Sequence, residues 1–250
     1  MAPVRPAVFG LVICALAGCA QWGAASQADP AARAAGVSAQ VQPWQAFKLP
    51  GKTSTRYDLV WQDGHQVLRA RAESSASMWR RPLHLDSGEL GQVRFSWKVP
   101  QLMDAADLSD GDTEDAPVRI VLAFDGDHGR LSMRNRMMFD LAESLTGERP
   151  PYATLMYVWD TRAEVETVLH AARSDRIRKV VVESGPQRCR SWLSYQRDIV
   201  ADFRRAFGED PGALIGVAVM TDADNTHSRT EAYYGSIELL GGKAGPLALL

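Results

Sequence analysis

"QVRFSWKVP", residues 92–100, decides the fold. Val93, Phe95, Trp97 and Val99 alternate with Arg94, Ser96 and Lys98, so an extended chain turns one apolar and one polar face. That is a half-buried β-strand. Working outward, weaker period-two patterns occur at 56–61, at 66–72 (Leu68, Ala70 and Ala72 inward, Arg69 and Arg71 outward) and at 237–240. Continuous apolar runs at 118–124, 154–159, 180–182 and 214–220 suit strands covered on both faces.

Two helices interrupt the strands. Ser132 can cap one whose Met133, Met137, Leu141 and Leu145 repeat every four residues, with Gly147 to stop it. The second places Ile199, Phe203 and Phe207 on one face and ends at Gly208. Residues 161–178 fit either a helical turn or a strand. The expected architecture is mainly β, a β-sandwich of the jelly-roll kind that resembles galactose-binding-like domains, with one or two inserted or flanking helices.

With 250 residues, 46% of them hydrophobic and 23% charged, the chain has the composition of a globular protein with one sizeable core. Its N-terminus has another character. Arg5 precedes the apolar stretch 7–17, which is too short to span a bilayer, and Leu16-Ala17-Gly18-Cys19 resembles the lipobox of bacterial lipoproteins. The expected organisation is a signal peptide over 1–18, a lipidated Cys19 and flexible tether over 19–43, one domain over 44–242 and a tail over 243–250. Ala20 lacks the aspartate that retains lipoproteins in the inner membrane. The expected location is therefore the outer membrane, facing the periplasm, with the bacterial membrane as partner through lipid on Cys19.

Of the three cysteines, Cys14 leaves with the signal and Cys19 takes the lipid, so Cys189 stands alone and no internal disulfide is available. Removal of 1–18 deletes Arg5 and no acid, leaving 27 of the 28 basic side chains against 30 acidic ones. A formal charge near −3 with scattered arginines argues against nucleic acid as a partner.

Two acidic stretches are the candidates for chemistry. Residues 104–115 carry six carboxylates in twelve positions, and Asp112, Glu114 and Asp115 could offer oxygens to a structural calcium ion, although the spacing fails the EF-hand pattern. The second stretch, Asp222-Ala223-Asp224-Asn225-Thr226, follows an apolar run and is either a ligand-binding loop or the polar turn that ends a buried strand. Trp159, with Asp160 beside it, and Trp192 are the aromatic residues placed to stack on a sugar, while Trp61, Trp79 and Trp97 sit where core packing explains them.

No nucleophile elbow, zinc motif, paired-cysteine motif or phosphate-cradling glycine loop is present. Cys189 between Arg188 and Arg190 is either a reactive thiol or a surface thiol without a role. Glycoside hydrolysis needs only two carboxyls at the right separation, here drawn from Asp115, Asp198, Asp202, Asp222 and Asp224. Asp198 and Asp202 have a simpler use at the start of their helix, with Asp202 reaching Arg197 or Arg205.

Six stretches together resemble one bacterial family, the domain of unknown function 3047: "FSWKVPQL" (95–102), "EDAPVRIVLAFDGD" (114–127), "YVWD" (157–160), "VVVESG" (180–185), "QRDIVADFRRAFGEDPGALIGVAVMTDADNT" (196–226) and "AYYGSIEL" (232–239). The resemblance implies a secreted or periplasmic β-sandwich and carries no assigned activity or functional residue. The expectation is a non-catalytic binding or accessory module for a glycan or another envelope component. The alternatives are an envelope carbohydrate hydrolase and a structural partner in an envelope complex.

Overall fold

The computed structural model describes residues 41–172, 174–241, 246–248 and 250. The expected signal peptide, Cys19 and most of the tether lie outside the described residues. Within them the chain is mainly β, with the strands β1 (Gln45–Lys48), β2 (Arg56–Gln62), β3 (His65–Glu73), β4 (Ala76–Leu85), β5 (Gln92–Lys98) and β6 (Arg119–Phe124) ahead of helix α1 (Met133–Thr146). Then come β7 (Ala153–Asp160), β8 (Val168–Ala171), β9 (Ser174–Ser184), β10 (Trp192–Asp198), helix α2 (Ile199–Phe207), β11 (Leu214–Asp222), β12 (Arg229–Leu240) and β13 (Leu247–Ala248).

The strands form two sheets. The larger has seven strands in the order β1-β4-β11-β6-β7-β9-β8, and the smaller has β10-β5-β12-β3-β2 with β13 beside β12. Neighbours are antiparallel except β7 and β9, which run parallel. The sandwich expected from the sequence is thus present as two sheets. Phe95 and Trp97 of β5 point into the space between them, with Phe95 stacked on Tyr157 at 5.5 Å between ring centroids and on Tyr195 at 5.5 Å.

The apolar runs of β6, β7 and β11 are buried on both sides although most of their pairing is antiparallel. Their inward residues join the main core, while Val121, Met156, Val158, Val181, Ala218 and Met220 form a second cluster on the outer face of the seven-stranded sheet. What covers that face includes the acidic segment, because Leu108 and Ala116 pack into the second cluster. Residues 99–118 therefore act as a lid over the sheet and not as a solvated loop.

The two helices sit at one end of the sandwich. Ser132 and Asp198 cap them by accepting the amides of Asn135 and Ala201, and Gly147 and Gly208 end them at φ of 75° and 71°, a left-handed geometry that glycine adopts without strain. Helix α2 turns Ile199 and Phe203 into the core, with Phe203 edge-on to Phe124 at 4.8 Å. Helix α1 behaves otherwise. The four-residue repeat that signals it faces solvent, with Met133 76% exposed, and the helix buries Asn135 and Phe139 instead.

Trp61 is also a correction. It is 76% exposed on the edge strand β2, whereas Trp97 is fully buried as expected.

Candidate functional site

The end of the sandwich opposite the helices gathers both acidic stretches. In the seven-stranded sheet the register runs from Leu214 opposite Phe124 at the helical end to Met220 opposite Arg119 at this end, with Asp222 opposite Ala76 on β4. Alternation along the strands sends Arg119, Lys179, Asp160 and Asp222 to the outer face, beneath the lid.

Asp222 is 3% exposed and meets Arg119 in a fork, Nε to Oδ1 at 2.9 Å and Nη2 to Oδ2 at 2.7 Å. The lid's Ala116 amide donates to the same carboxylate at 3.3 Å. Burial pushes the Asp222 carboxyl up to about 6, against the pull of Arg119. Burial also works against the charge on Arg119, but Asp222, Glu114 and Asp115 hold its pKa above the usual value. Lys179, fully buried on β9, is pushed down by burial and keeps two lid partners, the Leu108 carbonyl at 2.7 Å and Glu114 at 3.0 Å.

The two acidic stretches meet here. The Asp115 carboxylate accepts the amides of Asn225 (3.2 Å) and Thr226 (2.7 Å) and the Thr226 hydroxyl (2.7 Å), while Asn225 Nδ2 donates to the Gly111 carbonyl at 3.0 Å. Asp224 pairs with Lys52. Asp160, also buried, accepts from the amides of Leu108 (3.2 Å), Arg162 (2.7 Å) and Ala163 (2.6 Å). These side chains therefore hold the lid to the sheet. Of the two readings of the 222–226 segment, Asp222, Asn225 and Thr226 take the structural one.

The remaining candidates separate. Trp159 is 1% exposed with its indole N–H donated to the Gly185 carbonyl, so its ring has no free face for a sugar. Trp192 is half-buried and donates its indole N–H to Asp63 at 2.8 Å. Asp112 is exposed, while Glu114 pairs with Lys179 at 3.0 Å and Asp115 holds the 225–226 backbone. Oxygens of Asp115, Asp222 and Asp224 come within 4.8 Å of one another, yet Arg119 and Lys52 already neutralise two of them, a poor fit to a hard cation that wants six to eight oxygens.

A catalytic carboxylate pair drawn from both ends does not form. Asp198 lies opposite Gln92 on β5 and Trp192 opposite Lys98, so six residues, about 20 Å, separate the Asp198 end from the lid end. Asp202 is held by Arg197 at 2.8 Å and Arg205 at 3.1 Å. Burial raises the pKa of the Cys189 thiol, the opposite of what a reactive cysteine needs.

The open concave surface lies elsewhere on the same rim. A cleft of about 840 Å³ is lined by Arg56, Arg71 and Arg229 with Glu73, Glu231 and Thr230, and closed on one side by 100–102 at the root of the lid. Arg71 pairs with Asp58 at 2.8 Å and Arg229 with Glu73, whereas Arg56 makes no ion pair among the described residues. Behind the lining, the buried Arg71 Nε and Thr230 Oγ1 have no hydrogen-bond partner among the described residues. Sequence reasoning passes over these residues, because outward arginines on β2, β3 and β12 read as an ordinary solvated face. Their one signal is the Arg69 and Arg71 alternation on β3.

Fold and site together define a two-sheet β-sandwich with a lid clasped over one sheet and a polar cleft at its rim. The chain belongs to the family described as protein of unknown function (DUF3047), whose model matches residues 42–238. No curated protein matches it.

Proposed function

We propose that this protein is a non-catalytic binding module of the bacterial cell envelope, lipid-anchored through Cys19 and facing the periplasm, which takes a glycan bearing acidic groups into the rim cleft. The observation that carries this reading is the cleft itself, lined by three arginines, of which Arg56 makes no ion pair among the described residues. Guanidinium groups match carboxylate and phosphate oxygens bidentately, and Arg56, Arg71 and Arg229 line the cleft from three strands. The nearby Asp115 and Asp222 are buried and engaged in holding the lid, which supports binding over hydrolysis. In this reading the 222–226 segment shapes the cleft from behind without touching the ligand.

The test is a glycan array probed with the soluble chain, followed by calorimetry on the best acidic hit. Arg56→Ala combined with Arg229→Ala should weaken binding by about tenfold or more for each charge-assisted hydrogen bond removed, with unchanged thermal stability. An array with no acidic glycan above background sinks the reading. Anchoring is tested separately: Cys19→Ala should abolish fatty-acid labelling of the chain.

A further inference from the structure

The most anomalous surface of the molecule is the outer side of α1. Met133, Met137, Leu141 and Leu145 are 56 to 76% exposed, and Met138 is 39% exposed. At 3.6 residues per turn these five cover roughly 140° of the helix, away from the side that buries Asn135 and Phe139. Large unpaired apolar stripes of this kind mark contact surfaces on soluble domains.

The charges around the stripe point to what covers it. Arg149 ties up the two acids of the helix, Asp140 at 3.3 Å and Glu143 at 2.7 Å, and Glu148 is taken by Arg80 in a fork of 2.6 and 2.7 Å. Arg130 and Arg134 are exposed and make no ion pair among the described residues, and Arg136 donates only to the Leu131 carbonyl, at 3.0 Å. An apolar stripe with unneutralised arginines beside it complements the boundary between acyl chains and anionic headgroups.

Chain direction adds a second argument. The residues before β1 run along β4, the Gln42 amide donating to the Pro82 carbonyl and Arg81 to the Gln42 carbonyl, each at 2.9 Å. That is the helical end of β4, where Leu85 lies opposite Leu214, and Arg80 next to it holds Glu148 just past the C-cap of α1. The described chain thus enters the domain beside this helix, downstream of Cys19. The rim cleft lies at the other end.

We infer that the outward face of α1 is a bilayer-contact surface that lies in the plane of an anionic membrane, with the cleft turned away from it. Met133, Met137, Leu141 and Leu145 enter the headgroup boundary, and Arg130 and Arg134 meet lipid phosphates. The inference is independent of what the cleft binds.

The experiment is vesicle flotation of residues 20–250, without the expected signal peptide and Cys19, so that neither the apolar stretch 7–17 nor an acyl chain contributes. Vesicles are equimolar phosphatidylglycerol and phosphatidylcholine, or phosphatidylcholine alone. The expected result is flotation with the anionic vesicles, reduced by about tenfold or more in Met137→Glu with Leu141→Glu. Arg130→Gln with Arg134→Gln should reduce it by about 30-fold, as two cationic groups at a surface imply. All these side chains are exposed, so unchanged melting of the variants establishes that they fold. Flotation equal in the parent and both variants overturns the inference. So does absence of flotation by the parent, and so does a dimer that the glutamate pair dissociates while vesicle binding is unaffected, which would make the face an interface between copies.

Discussion

Replacing Arg119 with methionine tests the buried clasp directly. The guanidinium forks onto Asp222 at 2.9 and 2.7 Å, and both side chains are under 5% exposed. Methionine keeps the length of the side chain and removes the charge, leaving Asp222 buried beside Asp115 with the Ala116 amide as a remaining donor. Breaking one partner of such a pair costs about 3–5 kcal/mol when the survivor stays charged. Asp222 has an escape, because its carboxyl already stands at about 6, and losing Arg119 raises it further. Each additional pKa unit is worth about 1.4 kcal/mol.

The sign follows from the raised value. A carboxyl whose folded pKa lies above its unfolded one contributes stability that is fully present below the unfolded value, near 3.8, and is lost as pH rises through the folded value. In the variant that loss moves to higher pH. Urea denaturation at pH 5 and pH 8 should therefore show a smaller difference between variant and parent at pH 5, by about 1.4 kcal/mol for each unit of increase. Asp222 is the group of this cluster whose raised value falls inside the window, so it dominates the difference. A loss below about 1 kcal/mol at pH 8, or the same loss at both pH values, refutes the reasoning.

Other expectations follow from the same geometry. Asp115→Ala removes three hydrogen bonds that hold the 225–226 backbone and hydroxyl, and should cost about 3 kcal/mol in chemical denaturation while making the lid protease-sensitive. Phe139→Ala should cost about 3 kcal/mol or more, whereas Met137→Glu, two residues away, should stay within about 0.5 kcal/mol by thermal melting. Glu166 is held down to about 2, first by its hydrogen bond from Arg197 and also by Arg205. Its depressed value contributes stability above about 4.5 that is lost as pH falls toward 2, and since it is half exposed Glu166→Gln should cost only about 1 kcal/mol at pH 7. Adding calcium or a chelator should move the melting temperature by less than about 1 °C, since the acids near the lid already hold Arg119, Lys179 and Lys52.

Local signals were readable wherever the cause is local. The period of two at 92–98, the apolar runs of β6, β7 and β11, the cap Ser132 and the stops Gly147 and Gly208 place those elements close to their observed bounds. Strand β4 is hidden because Arg80, Arg81 and Pro82 break its pattern, and β10 because Trp192 shares the outer face with Ser194, Gln196 and Asp198 while Arg197 follows Leu193 and Tyr195 on the covered one. Both are recognisable only through their neighbours, β11 and β5. The repeat in α1 identified a helix correctly but not its buried side, since periodicity records which residues share a face and not which face meets the core.

The sequence alone determined that this is a mainly β chain with two capped helices and an acidic segment ahead of β6. Local geometry makes such features visible: alternation, caps and turns involve residues a few positions apart. Only the tertiary structure decided what the polar residues do. Arg119 and Asp222 are 103 positions apart, Asp115 and Thr226 are 111, and the arginines of the cleft come from three strands. An aspartate becomes a ligand-holder, a catalyst or a clasp according to what burial and partners surround it, and those surroundings exist only once the sheets have closed.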